Sequence, residues 1–140
     1  MRVAPTYTLA PEMLFREREP NEMTIHLKRA YEDANTQDGY RGLVDRLWPR
    51  GVSKEDAALD DWSKDVAPSK DLRTWFDHKE TRWDGFQKRY RKELKESDDA
   101  QEAIKKLRKK HRDGTLTLVF GAKDTEHNNA VVLKRVLTGH

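Results

Sequence analysis

The chain has 140 residues, with 28 Lys and Arg against 25 Asp and Glu for a net charge of +3, and it contains no cysteine. That length is enough for one ordinary core without staples. The lack of cysteine excludes disulfides, thiol nucleophiles and cysteine metal sites together, and fits a reducing, cytoplasmic setting. The longest apolar run, residues 118–122, is far shorter than the roughly 20 residues of a membrane helix, so no membrane partner is expected.

Residues 1–22 hold three prolines and several charges but no apolar stretch behind a basic start. They read as a disordered or extended arm rather than a secretory signal, followed by a single domain over 23–140. The first predicted strand is 24–29. The second, 40–47, follows the turn signal Asp38-Gly39. The connection between them is near the lower limit for a parallel crossover, which leaves their relative direction open.

Trp48-Pro49 holds Trp48 extended. Ser53, with Asp56 three residues on, predicts the N-terminus of a short helix through Leu59. Ser69 caps a second short helix in which Leu72, Trp75 and Phe76 share one face. In 80–96, Trp83, Phe86, Tyr90 and Leu94 form one stripe, and Ala100, Ala103, Ile104 and Leu107 repeat the pattern after a break at Ser97-Asp98. Gly114 ends it.

Residues 115–122 begin as an alternation and finish as a continuous apolar run, the pattern of a central strand covered on both faces. A last helix is predicted over 125–137, capped by Asp124 or Thr125. The order of elements predicts an α/β fold, a small three-layer domain with a partly parallel central sheet flanked by helices.

Two polar clusters follow the two best strands. If those strands are parallel neighbours, their carboxyl ends share one edge, where α/β sheets bind ligands. The first cluster, Asp45 to Gly51, offers Arg46 and Arg50 as a guanidinium clamp for a phosphate or carboxylate. Trp48 is either a flat wall for a ring or a core plug, and packing is the commoner role for such a residue. In the second cluster, Lys123 adds charge and Asn128 and Asn129 can donate hydrogen bonds. His127, placed in the first turn of a helix, would be neutral and available as acid or base, with Asp45 or Asp124 orienting it. The bland alternative is that Asp124 caps a helix while His127 and the asparagines tie it to a loop.

The expected partner is therefore a small anionic, phosphate-bearing ligand, with hydrolysis or group transfer as the reaction class if there is one. The competing reading is a nucleic-acid-associated protein that uses the basic face of 88–112. Trp62 and Asp65 either line the same crevice or belong to a linker that packs one tryptophan. His78, after Asp77, reads as a helix C-terminus. The five histidines show no metal-ligand spacing, and no cofactor motif is present, so neither metal nor cofactor is assigned.

These residues also carry a pattern. Asp38-Gly39-Tyr40-Arg41 leads to Val44-Asp45-Arg46-Leu47-Trp48-Pro49-Arg50-Gly51, then Trp62, Ala67-Pro68-Ser69, Leu72-Arg73, Trp75-Phe76-Asp77-His78, Ala122-Lys123-Asp124, Glu126-His127-Asn128 and Ala130-Val131-Val132-Leu133. The whole, over about 23–137, resembles the YeaO-like family of bacterial proteins of unknown function. That resemblance implies a small α/β fold and a cytoplasmic bacterial protein, and it names no reaction. Wider relatives carry cysteines around the segment matching 120–128. This chain has none, so thiol chemistry does not carry over. Asn129 stands where close relatives often have histidine.

Overall fold

The computed structural model describes residues 25–140; the expected arm over 1–22 lies outside them. Four strands form one sheet: β1 (His26–Arg29), β2 (Tyr40–Leu43), β3 (Asp61–Trp62) and β4 (Leu116–Phe120). Their order is β1-β4-β2-β3 and every pairing is parallel. The sheet is thus wholly rather than partly parallel across the described strands. The short connection after β1 reaches a parallel strand because β2 is not its neighbour, and β4 enters between them.

The register aligns Leu43 with Val119 and Arg29 with Phe120, so β1, β2 and β4 end at one edge. Gly39 makes this possible. Its φ is +65°, and a Cβ there would lie 2.3 Å from the Thr115 carbonyl oxygen, which accepts the Tyr40 N–H. β4 is buried at all five positions, as its apolar run predicts. Leu116, Leu118 and Phe120 face the larger core, whereas Val119 joins Ala30 and Leu43 in a smaller one.

Helices cover these faces unequally. On one side lie α1 (Lys54–Ala57), the loop residues Trp48 and Leu59, and Trp62 of β3, the last three packing on the smaller cluster. On the other lie α2 (Lys70–Phe76), α3 (Trp83–Glu96), α4 (Asp98–Asp113) and α5 (Asn129–Leu137). Phe86, Tyr90 and Leu94 of α3, with Ala100, Ile104 and Leu107 of α4, are buried as their stripes require. Ser97 ends α3 and caps α4 by accepting the Ala100 N–H at 3.1 Å.

Two clamps fix α2 on α3. Glu93 accepts the Ser69 N–H at 2.9 Å and its hydroxyl at 2.5 Å, while Ser69 caps α2 through the Leu72 N–H. Trp75 sits over Gly85, where a Cβ would come within 2.7 Å of the indole, and the Arg89 guanidinium covers the ring at 3.9 Å from its centre. Tyr90 donates its hydroxyl proton to the Val66 carbonyl, which ties the preceding loop to the same helix.

Two boundaries differ from the sequence pattern. β2 stops at Leu43 rather than continuing to Leu47, because the chain turns after the Val44 N–H bonds Val119 O. The last helix starts at Asn129 with Asn128 as its cap, four residues later than predicted. Asp124 does accept the N–H groups of Glu126 and His127, at 2.9 and 3.0 Å, which is the bonding of a cap. The chain then bends instead of entering a helix, and the Asn128 side chain accepts the Val131 N–H.

Gly39→Ala should destabilise the fold by about 2–4 kcal/mol, since it adds both a strained left-handed conformation and a clash with backbone. Urea unfolding monitored by tryptophan fluorescence checks this, and a neutral result would mean that Thr115 can yield.

Candidate functional site

The common edge of β2 and β4 opens into a crevice of about 380 Å³. Its lining includes Asp45, Arg46 and Trp48 from the first cluster and His127, Asn128 and Asn129 from the second, which brings residues far apart in the chain to one hollow. Arg50 and Lys123 are exposed and do not line it. α2 and its C-terminus supply the opposite wall through Arg73, Thr74, Phe76, Asp77 and His78.

Asp45 is the hinge between the two clusters. Its Oδ2 accepts the Gly121 N–H at 2.8 Å, and its Oδ1 accepts the Asn129 amide at 3.2 Å. The same amide donates to Val44 O at 2.9 Å. The Trp62 indole donates to Asp45 O, so Trp62 holds this loop rather than lining the crevice. Burial pushes the Asp45 carboxyl above the ordinary carboxylate value, and it outweighs the Gly121 and Asn129 hydrogen bonds and the charges of Arg73 and His78 that favour ionisation. The carboxylate that orients the His127 imidazole is Asp124.

His127 lies between two acids. Nδ1 is 2.9 Å from Asp124 Oδ2, Nε2 is 3.6 Å from Glu80 Oε1, and the ring meets Trp83 edge-on. The Asp124 hydrogen bond raises its pKa above the usual 6.5, with Glu80 acting in the same direction. The dipole argument for a neutral imidazole does not hold at this position. That argument required a helix dipole at His127, and α5 begins only at Asn129. Asp124 is lowered, first by the Glu126 N–H and then by His127.

The remaining predicted groups are engaged within the fold to different degrees. Asn128 caps α5 and donates to Asp124 O at 2.8 Å. Trp48 donates its indole N–H to Val52 O at 2.6 Å and meets Trp62 edge-on, which matches a packing role, while one part of it reaches the crevice. Arg46 is exposed, with one contact from Nε to Pro68 O at 3.4 Å.

Arg73 and His78 are the basic side chains that sequence reasoning did not assign to the site. The buried Arg73 Nε has no hydrogen-bond partner among the described residues. Asp77 and His78 are both left-handed, with φ of 49° and 54°. Consecutive non-glycine residues in that region carry strain, and such strain gathers at functional sites. The available signal was the polar Arg73 and Asp77-His78 interleaved with the apolar helix face, but the partner of that wall lies some 30 residues away in sequence.

Part of the basic face of 88–112 is engaged with neighbouring groups. Lys105, Lys106 and Lys109 pair with Glu102, Asp61 and Asp113. Arg89 stacks on Trp75, Lys110 lies over Tyr40, and Arg108 binds the carbonyls that end α5. No group of three His, Asp or Glu among the described residues is arranged to hold a metal ion, and no helix among them is long and apolar enough to cross a membrane.

A raised folded-state pKa on His127 contributes stability that is fully present below 6.5 and is lost as pH rises through the raised value. The Asp124 contribution is lost in the opposite direction, as pH falls through its own lowered value. Urea unfolding between about pH 5 and pH 9 should therefore show a decline on the alkaline side that is absent in His127→Gln. Parallel profiles for the two proteins would refute the pairing.

The chain matches, over residues 24–140, the family described as DUF488-N3i, the inactive DUF488-N3 subclade. It is 42% identical to the uncharacterized protein YeaO of Escherichia coli (strain K12) over 111 residues, 79% of this chain and 94% of the relative. It is 41% identical to an uncharacterized protein of Mycobacterium tuberculosis (strain ATCC 25618 / H37Rv) over 118 residues, 84% of this chain and 97% of that one. No solved structure matches it with significance. With nearly the whole described chain covered, and with YeaO among its relatives, the protein belongs to the DUF488-N3i family.

Proposed function

We propose that the crevice binds a small anionic ligand, a phosphate ester in the first instance, and that binding rather than turnover is its task. The observation that carries this reading is the convergence of Arg46, Arg73, His78 and His127 on one hollow in which the Arg73 Nε–H has no partner among the described residues. A buried donor without an acceptor is costly, and an anion oxygen relieves that cost. The position just beyond the carboxyl ends of parallel strands is also where α/β sheets place ligands.

His127 serves this reading as a charge. The Asp124 and Glu80 carboxylates on either side of the imidazole favour its protonated form, which is the form that attracts an anion. The chain's lack of cysteine and the word "inactive" in the family description support the preference for binding over hydrolysis or group transfer. The neighbour-paired lysines of 88–112 favour the crevice over a nucleic-acid surface.

Isothermal titration and thermal shift with inorganic phosphate and methyl phosphate test the proposal. Arg73→Ala and Arg46→Ala should each weaken methyl phosphate binding by about tenfold or more, the size of one charge-assisted hydrogen bond. Folding should persist, because Arg46 is exposed and Arg73 lacks a partner at Nε among the described residues. Unchanged affinity in both variants, or no binding by the parent protein, would refute the site.

A further inference from the structure

We infer that the ligand of this crevice joins its anion to an apolar ring, so that the site reads an aryl or heteroaryl phosphate rather than phosphate alone. The inference rests on the anion-site reading above and adds what the other half of the lining does.

The lining is divided chemically. Arg46 and Arg73, with the imidazoles of His78 and His127, form the polar part, whereas Leu47 and Trp48 present hydrocarbon, backed by the buried Pro49, Pro68, Phe76 and Phe86. A hollow of about 380 Å³ lies in the range of cavities that take drug-sized molecules, and their walls are mostly apolar with a few placed polar groups. A bare phosphate would leave that hydrocarbon in contact with water.

The apolar wall is also held in place before any ligand arrives. The Trp48 indole is fixed by its bond to Val52 O and by the edge of Trp62. Phe76 and Phe86 stack with centres 4.3 Å apart. A wall that is already ordered loses little side-chain freedom on binding.

Leu47 is the exception that points to an occupant. It is 62% exposed, more than any other large apolar side chain among the described residues, and it stands on the lip of the crevice. No core position needs it there. Its neighbour Arg46 places a cation next to that hydrocarbon, so a molecule lying along 46–47 meets a charge and an apolar surface in succession.

The test compares methyl phosphate, phenyl phosphate and phenol by isothermal titration on the full chain. Phenyl phosphate should bind about tenfold or more tightly than methyl phosphate, the gain expected from burying a ring. Leu47→Ser should narrow that gap by about threefold while leaving methyl phosphate affinity unchanged, and its high exposure makes loss of the fold an implausible cause. Equal affinity for the two esters, or an unaltered gap in Leu47→Ser, overturns the inference and leaves the anion site standing. Phenol binding as tightly as phenyl phosphate overturns both readings, as does the absence of binding by either ester.

Discussion

The tie between the Asp45 carboxylate and the Gly121 N–H, 2.8 Å long, joins the exits of two parallel strands whose own ladder has already ended. Without such a bond the first residues beyond β2 and β4 would be free to diverge, since only strand pairing holds parallel neighbours together. Arg29 grips the same exit from the β1 side, donating to Ala122 O at 2.8 Å and Gly121 O at 3.2 Å. Asn129 closes the arrangement by bonding Asp45 and Val44 O, so the start of α5 is placed relative to the end of β2. Asp45 thus braces the two loops against each other. Burial raises its pKa, and both of its oxygens already accept hydrogen bonds.

The opposite wall depends on a separate set of contacts. Glu93 holds the N-terminus of α2 and Gly85 admits the Trp75 ring, so α2 lies close against α3 and presents Arg73 toward the strand edge. The left-handed pair Asp77 and His78 then turns the chain at the crevice instead of letting it run past. Strain at one end of the helix is sustained by tight packing along its length, the usual relation between a rigid scaffold and a strained functional loop.

Electrostatics within the hollow is a balance. The Arg73 charge acts on the Asp45 carboxylate, and His127 answers to Asp124 and Glu80. Cations already shared with acids bind an anion with moderate strength and pronounced pH dependence, in contrast to an uncompensated arginine cluster.

Much of the scaffold was legible because its signals are local. Ser53, Ser69 and Ser97 are all caps in the structure, and the Trp83, Phe86, Tyr90, Leu94 stripe shares a buried or half-buried face. The start of α5 was not legible, because Asp124 makes the hydrogen bonds of a helix cap in a turn that goes no further, and residues 124–127 alone do not distinguish the two outcomes. The direction of β2 relative to β1 was likewise open until β4 was seen between them. Composition, periodicity and capping chemistry by themselves determined the class of fold, the helices and the two loops worth attention. Only the tertiary structure decided which basic side chains face the crevice, adding Arg73 and His78 and leaving out Arg50 and Lys123. The physical reason is range: a cap or an amphipathic stripe is satisfied within a few residues, whereas the wall of a crevice is set by packing between segments tens of residues apart.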